Sequence, residues 1–303
     1  MATTRQSIIR GPGTVSFGGV KIHDSSGITA NIESSTQDIE SSVARKLNTI
    51  KTDQTGKISL TPVGNITQAL LDLFFPAWMK KPVFGTSIMG ETDRPLVVSS
   101  CAGMKVTFAC AGLTKCPELL LSPVKTAFGG IEFTAVVANG KLPGESGAFY
   151  SVASAEYDGG EPSREGLSGC HYQATFGELA IPDTQDGWTV TPGLQLEPVG
   201  SDSQGTIDYT LSGVTVRASC TPLGLSEADI LAALPAGKGR GASLASASDL
   251  VIAADGGLSV TLKNAALVTG PIQWGASQLR AGQLGFVANI AADGTLFDVS
   301  ISG

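Results

Sequence analysis

Side chains that could act as nucleophiles, bases or metal ligands are few in this sequence. Each of its two histidines adjoins a reactive neighbour: Asp24 follows His23, and Cys170 precedes His171. A cysteine and a histidine can supply a thiolate and its base, but adjacent residues on a strand point to opposite faces. His23 and Asp24 precede Ser-Ser-Gly, which is typical of a turn. We therefore predict that neither pair is catalytic.

Motifs for metal or phosphate binding are missing from the sequence as well. It contains no H-E-x-x-H, C-x-x-C or calcium-loop pattern. The glycine-rich residues 237–241 lack the spacing of a phosphate loop and follow a predicted helix instead of a strand. Paired carboxylates such as Asp38 and Glu40 lie in polar segments, where a solvated surface is the ordinary interpretation. We predict no catalytic residue, no metal and no cofactor, and hence a protein that is not an enzyme.

The cysteines and the hydropathy pattern indicate the environment of the chain. Five cysteines form an odd set, which favours free thiols over a disulfide framework. The most apolar windows, such as residues 69–75, are far shorter than the roughly 20 residues of a membrane-spanning helix. The first residues lack the apolar stretch of a signal peptide. We expect no membrane contact and no export by that route.

The composition favours β-structure and argues against a nucleic-acid binder. The 303 residues are 42% hydrophobic but only 16% charged and 6% aromatic, and 38 glycines and 15 prolines supply many turns. The net charge is −7, whereas proteins that hold phosphates need clustered Lys and Arg. Residues 1–166 contain 15 basic and 15 acidic residues, and residues 167–303 contain 5 and 12. The acidic excess therefore lies in the second part.

Several short motifs occur twice at nearly constant spacing. The sequence around Phe17 returns around Phe176, 159 positions later, and Thr-Pro-Val-Gly at residues 61–64 returns as Thr-Pro-Leu-Gly 160 positions later. In the strongest block, residues 96–108 align with residues 250–262 with five identities in thirteen pairs. Average composition would give roughly one identity. We infer a tandem duplication.

The same predicted elements follow one another in both copies. Strict alternation of apolar and polar residues predicts half-buried antiparallel strands at residues 57–61, 105–109, 131–136, 214–218, 258–262 and 296–301. One short helix per copy is expected after the Thr-Pro-x-Gly turn. The first spans residues 66–78, and the second begins at Ser226, which resembles a capping box with Asp229. Pro76 and Pro235 are expected to end these helices.

The repeats divide the chain into a first domain at residues 1–140, a linker at residues 141–169 and a second domain at residues 170–303. The linker is rich in Gly, Pro, Ser and Glu, although its aromatic residues suggest that it lies against a surface. Within the domains, residues 30–56 and 189–205 are long, polar and weakly periodic. Segments of that length are usually functional or ordered by a partner. We expect these two segments to contact a neighbouring subunit.

The order of motifs resembles that of a known family. Residues 11–19, Gly-Pro-Gly-Thr-Val-Ser-Phe-Gly-Gly, precede a polar hairpin, the strand and turn at residues 57–64, and a short apolar helix that ends at Phe75 and Pro76. This order resembles the major tail tube proteins of long-tailed, siphovirus-type bacteriophages. The resemblance covers both copies, is clearest in residues 11–76, and depends on the order of elements, since no single residue is diagnostic.

The resemblance implies a structural virion protein of mainly β fold. Each copy would form two packed antiparallel sheets, a β-sandwich or barrel with one short flanking α-helix. Family members form rings that stack into a hollow tube through which phage DNA passes. Most have one domain and form hexamers, so two fused copies imply a trimeric, pseudo-hexameric ring. The implied location is the virion tail, assembled in the cytoplasm of the bacterial host.

The resemblance also implies the partners. These are further copies of the chain, joined through the hairpins 30–56 and 189–205, and the tape measure protein and other tail proteins. Duplex DNA would pass without specific binding, and an acidic wall that repels phosphates would serve this passage. The candidate lumen-facing acidic residues are Glu33, Asp38, Glu40, Glu197, Asp202 and Asp208.

Other classes of protein remain open at this point. A tail-tip or terminator ring would show similar sequence features. A carbohydrate-binding β-sandwich would need exposed aromatic platforms, and only three tryptophans are present, Trp78, Trp188 and Trp274. A β-rich hydrolase would need a convergent nucleophile and base, which the sequence does not show.

Overall fold

A computed structural model describes residues 13–25, 27–43, 45–64, 66–122, 126–157, 171–234, 238–245, 248–270 and 282–301. It is mainly β, with 57% strand and 7% helix, and its strands form packed antiparallel sheets. The prediction of a mainly β fold with packed antiparallel sheets is therefore confirmed. Residues 1–12, Cys170, Pro235 and Trp274, which entered the sequence argument, lie outside the described residues.

The elements fall into two series along the chain. Those of the first half are β1 (Gly13–Phe17), β2 (Val20–Asp24), β3 (Thr29–Ser41), β4 (Arg45–Leu60), β5 (Pro62–Val63), α1 (Gln68–Phe74), α2 (Ala77–Lys80), β6 (Leu96–Ser100), β7 (Met104–Phe108), β8 (Cys110–Lys115), β9 (Leu119–Leu121), β10 (Thr126–Phe128), β11 (Ile131–Val136) and β12 (Tyr150–Ser154). Those of the second half are β13 (Tyr172–Phe176), β14 (Leu179–Ile181), β15 (Asp183–Ser201), β16 (Gly205–Leu223), α3 (Glu227–Ala233), β17 (Leu250–Ala254), β18 (Leu258–Leu262), β19 (Ala266–Thr269), β20 (Leu284–Val287) and β21 (Phe297–Ile301).

Four antiparallel sheets result, two in each half. The front sheet of the first half has the order β12-β7-β6-β1-β2-β5, and the front sheet of the second half has the order β14-β13-β17-β18-β21. The hairpin sheet of the first half has the order β3-β4-β11-β8. The hairpin sheet of the second half has the order β10-β9-β15-β16-β20-β19 and so includes two strands of the first half.

Strand pairing follows the same register in both halves. In the front sheets, Phe17 pairs with Leu96 as Phe176 pairs with Leu250. In the hairpin sheets, Phe133 pairs with Ile58. The corresponding pair of the second hairpin sheet is Phe286 with Ala218. Each residue of the two second-half pairs lies 153 to 160 positions after its first-half counterpart. This agreement supports the inferred duplication, which remains an inference.

The register agreement extends to the irregularities of the two long hairpins. In β4 the pairing with β3 skips Thr52 and Leu47, and in β16 the pairing with β15 skips Ser212 and Ile207. Each skipped residue of β16 lies 160 positions after its counterpart. A skipped residue is a β-bulge, which bends the strand and increases its twist. The two hairpins therefore bend at the same places.

The strand β18, in the front sheet of the second half, buries alternate residues, as the sequence pattern predicts. In β18, Leu258, Val260 and Leu262 are buried, while the residues between them are partly exposed. The predicted bounds of β18 and β11 are confirmed, and those of β7 and β21 differ by one residue. The predicted strands at residues 57–61 and 214–218 are too short, because they are parts of the long strands β4 and β16. One hydrophobic core spans both halves, from Val15 to Val299. The halves therefore share their interior.

The structure corrects the expected helices and shows how part of the linker segment packs. The predicted single helix at residues 66–78 is two helices, because α1 ends at Phe74 and Pro76 is the N-cap of α2. The predicted capping box of α3 is confirmed, with Ser226 and Asp229 bonded reciprocally. The predicted linker at residues 141–169 contains β12, which pairs with β7, and residue Phe149, which is buried against Phe108.

Candidate assembly surface

The first long hairpin is the longest continuously exposed stretch among the described residues. Every residue of β3 from 29 to 40 is exposed, as are residues 45–52 of β4, although β4 becomes buried towards Leu60. The second hairpin consists of β15 and β16. The predicted segment 189–205 is therefore only part of it, because the strand returns as far as Leu223. Exposed strands of this length are association surfaces unless something covers them.

Each hairpin sheet has two faces, because successive residues of a strand point to opposite sides. Ala30 pairs with buried Ile58 and so lies on the core side. Asn31 and Glu33 lie on the opposite, outer face, and the amide of Asn31 donates a hydrogen bond of 2.7 Å to the Glu33 carboxylate. In the second half, Trp188 lies on the core side by the same alternation.

The six predicted lumen residues divide between these faces. Alternation places Glu33, Glu197 and Asp208 on the outer faces, whereas Asp38 and Glu40 share the core side with Ala30. Asp202 lies in the turn of the second hairpin. One face of the two sheets can therefore present three of the six residues together.

Asp38 and Asp208 are engaged within the chain. The Lys46 ammonium lies 2.8 Å from the Asp38 carboxylate, and Thr49 donates a hydrogen bond to it at 2.7 Å. These two bonds hold the pKa of Asp38 below its usual value. The partly buried Asp208 accepts hydrogen bonds from the amides of Met89, at 3.3 Å, and Tyr209, at 2.7 Å. Both carboxylates thus stabilise local structure.

Further charges on the outer faces were not predicted, because register decides which face a residue occupies. Alternation and pairing assign the following charged residues to the outer faces: Glu33, Asp53, Glu132, Asp183, Glu197 and Asp208 as acids, and Arg45, Lys57, Lys115 and Arg217 as bases. Acidic residues are in excess among these charges, and no signal in the sequence alone could have selected Asp53 or Glu132.

The two hairpins contact each other near the tip of the second. The carboxylate of Asp53 on β4 accepts hydrogen bonds from the amide of Thr206, at 2.9 Å, and from its hydroxyl, at 2.6 Å. Tyr209 lies nearby, and burial, followed by the charges of Asp53 and Glu132, raises the pKa of its hydroxyl. The second hairpin is thereby attached to the first.

A segment of the first half extends this attachment along β16. The amide of Gly85 donates to the carbonyl of Leu211 at 2.8 Å, and the Leu211 amide donates to Thr86 at 3.0 Å. Ile88 then donates to the carbonyl of Tyr209 at 2.9 Å. The outer part of β16 is thus covered by the first half, whereas the corresponding part of β4 is exposed.

The residues considered for catalysis are separated in the structure. His23 lies in β2, and burial together with the charge of Lys21 lowers its pKa. His171 precedes β13, where Gln173 lies 3.5 Å from its Nδ1. Among the described residues, no group of three or more His, Cys, Asp or Glu side chains could hold a metal ion. No helix within the same ranges is long and apolar enough to cross a membrane.

The described cysteines and tryptophans belong mainly to the interior. Cys110, Cys116 and Cys220 are free thiols and are buried, whereas Cys101 is partly exposed. Trp188 is buried and Trp78 is partly buried against the core, so neither forms an exposed platform for a sugar.

Comparison with known proteins identifies no relative. No protein-family model matches the chain, and no curated protein matches it. A function for this chain must therefore be argued from its own geometry.

Proposed function

We propose that this protein is a structural subunit of a phage tail tube, in which three chains form a pseudo-hexameric ring and rings stack around a channel for DNA. The observation that carries the proposal is the presence within one chain of two long hairpins that share their register and two bulge positions. A chain with two equivalent wall segments supplies two of the six positions in a ring. The resemblance of residues 11–76 to tail tube proteins supports the same conclusion.

The exposure and charge of the hairpins are consistent with this proposal. Uncovered strands promote pairing with other chains, and closure of a ring removes their edges. The excess of carboxylates on the outer faces suits a channel wall from which DNA phosphates are repelled. On this proposal the outer faces line the channel, the rings contact each other and the tape measure protein, and no catalytic residue is needed.

Electron microscopy of the concentrated, purified protein tests the proposal directly. We expect stacked hollow rings with threefold symmetry and six similar lobes. Discrete monomers under all conditions, including addition of a tape measure protein, would contradict it. A closed ring that never stacks would instead favour a terminator or tail-tip ring.

The channel wall can be tested with charge reversals on the two faces of one hairpin. The Glu33→Lys variant places a cation on the outer face of the first hairpin, and we expect its tubes to retain short duplex DNA at low salt. The matched control is Glu40→Lys, which changes a carboxylate on the core side. Equal retention by both sets of tubes would show that the outer face does not line the channel.

A further inference from the structure

An apolar groove of about 550 Å³ lies open on the first half. It lies between the beginning of β3 and the front sheet. Its apolar lining includes Ile28, Ile32, Met104, Val106, Tyr150 and Val152. Val152 is 59% exposed, Tyr150 43% and Met104 40%. Single exposed apolar residues are ordinary, but a contiguous patch marks a contact surface.

The corresponding surface of the second half is buried. Val152 pairs with Val106 in the front sheet of the first half, and Val299 pairs with Val260 in that of the second, so Val299 is the counterpart of Val152. By the same pairing, Phe297 is the counterpart of Tyr150. Val299 is 1% exposed and Phe297 is fully buried. Within the described residues, the same position in the two corresponding sheets is therefore covered once and open once.

The cover on the second half is provided by the helices of the first half. The ring of Phe75, at the end of α1, packs edge-on against Phe297 with centroids 5.9 Å apart. The ammonium of Lys80 donates a hydrogen bond of 3.1 Å to the Val299 carbonyl. The side-chain oxygen of Gln68 accepts a bond of 3.1 Å from the Ile301 amide. These contacts join the two halves.

A strand of the first half covers the neighbouring edge of the second. Leu121 of β9 pairs with Trp188 of β15, and Leu119 pairs with Val190. The pairing of β15 with β16 matches that of β3 with β4. By this match, Ile28 is the first-half counterpart of Trp188, and Ala30 is the counterpart of Val190. There β3 is the edge strand, and within the described residues no strand pairs with its outer side.

We propose that a second copy of this chain covers the open groove with the α3 side of its second half, and so repeats between chains the contact that joins the two halves within one chain. The helix α3 is the counterpart of α1, since both have seven residues and begin at an N-cap hydroxyl, Thr67 or Ser226. On α3, Leu231 is 55% exposed. The inference rests on the proposed ring and identifies the surfaces that close it.

The chain itself argues for a second copy over any other occupant. One contact between a helix side and a front sheet is already formed inside the chain. This contact uses the α1 side of the first half and the front sheet of the second half. The two surfaces left over are the α3 side of the second half and the groove of the first. A contact between unlike surfaces is head-to-tail and generates a ring or a filament. Three chains joined in this way contain six equivalent contacts.

A charge placed in the groove tests the proposal. Asp in place of Val152 should raise the protein concentration needed for assembly at least about tenfold, since a buried carboxylate would face apolar residues. The matched control is Val63→Asp, at a 41% exposed valine of the strand at the opposite end of the same sheet. Mass photometry measures assembly, and circular dichroism confirms that both variants are folded.

A cross-link tests the partner surface independently. Ser154 is the counterpart of Ile301, and residue 227 is the counterpart of Gln68. Within the chain, the Ile301 amide donates a hydrogen bond to the Gln68 side-chain oxygen. In a Cys101→Ser, Cys170→Ser background, the Ser154→Cys, Glu227→Cys double variant, treated with a short bismaleimide, should give covalent dimers and trimers. Each single variant should give no such ladder.

The outcomes separate this inference from the proposed function. Assembly lost in Val152→Asp but retained in Val63→Asp, together with the cross-linked ladder, supports the inference. Rings that form normally in Val152→Asp and give no ladder would overturn the inference and leave the tube proposal standing. A wild-type protein that never assembles would overturn both.

Discussion

Both carboxylate oxygens of Asp53 accept hydrogen bonds from Thr206, a residue 153 positions further along the chain. This pair joins the exposed first hairpin to the tip of the second. We expect Asp53→Ala to destabilise the protein by about 1–2 kcal/mol, because hydrogen bonds to a charged group contribute about that much. A double-mutant cycle with Thr206→Val, measured by denaturant unfolding, should give a coupling energy clearly above zero. Additive effects would show that the bond contributes nothing to stability.

The same contact predicts a dependence on pH. Partial burial raises the pKa of Asp53, but hydrogen bonds from Thr206 and Gln54 and the charge of Lys51 outweigh it, and the pKa is below its usual value. A carboxyl group with a lowered pKa stabilises the fold above its unfolded-state pKa, and this contribution is lost as the pH falls through the folded-state pKa. The contribution of Asp53 should be complete at neutral pH and disappear below about pH 4. Thermal unfolding of wild type and Asp53→Ala should converge there; a constant difference down to pH 2 would contradict this.

The close approach of β15 to the first half makes Gly187 sensitive to substitution. Its backbone has a φ of 86°, and a Cβ atom would lie 2.1 Å from the carbonyl oxygen of Leu121. We expect Gly187→Ala to cost more than about 2 kcal/mol, since both the backbone and the neighbouring strand would have to shift. Gly239→Ala, at a site where a Cβ atom meets nothing, is the control and should change stability by less than about 0.5 kcal/mol. Equal midpoints of thermal unfolding would contradict the expected strain.

The turn of the first hairpin stores a small strain. Arg45 has a φ of 56°, and its counterpart in the second hairpin, Gly205, has a φ of 76°. A left-handed conformation costs a residue with a Cβ atom about 1 kcal/mol. Arg45→Gly should therefore stabilise the hairpin, which would appear as slower hydrogen exchange of its amides. Lys46→Gly, within the strand, should have the opposite effect; faster exchange in both variants would contradict this explanation.

The cysteines should differ sharply in reactivity. Burial raises the pKa of Cys116 and of Cys220 far above its usual range, and burial with the nearby Asp93 charge raises that of Cys110 to about 11. In a Cys170→Ser background, a thiol reagent at pH 8 should modify the partly exposed Cys101 alone until the protein unfolds. Rapid labelling of more than one thiol in the folded state would disprove this burial.

The front sheets and the α3 cap could be predicted from the sequence because their signals are local. Alternation of apolar and polar residues marks β18, in which every second residue is buried, and the spacing of Ser226 and Asp229 marks the start of α3. The strand β12 escaped prediction because all five of its residues are exposed, so no alternation marks it. It exists because β7 offers an edge with which it pairs.

The candidate surface was only partly predictable, for a related reason. The polarity and length of the two segments predicted both hairpins. The bulges, which change the pairing register between the two strands of a hairpin, leave no recognisable pattern in the sequence. The division of Glu33 from Asp38 between faces follows from alternation along β3, yet which face is the outer one depends on the packing of Ile58. The bond between Asp53 and Thr206 depends on how the two halves meet.

The two hairpins share bulge positions although their side chains differ, so their backbone shape does not depend on the identity of those side chains. Thr52 and Ser212 share a bulge position, as do Leu47 and Ile207, while the side chains around them differ. Because the bend resides in the backbone, side chains on either hairpin can change without altering its curvature. A three-chain wall built from such hairpins would alternate two kinds of lining around one constant bore, and each kind could be redesigned separately from the other.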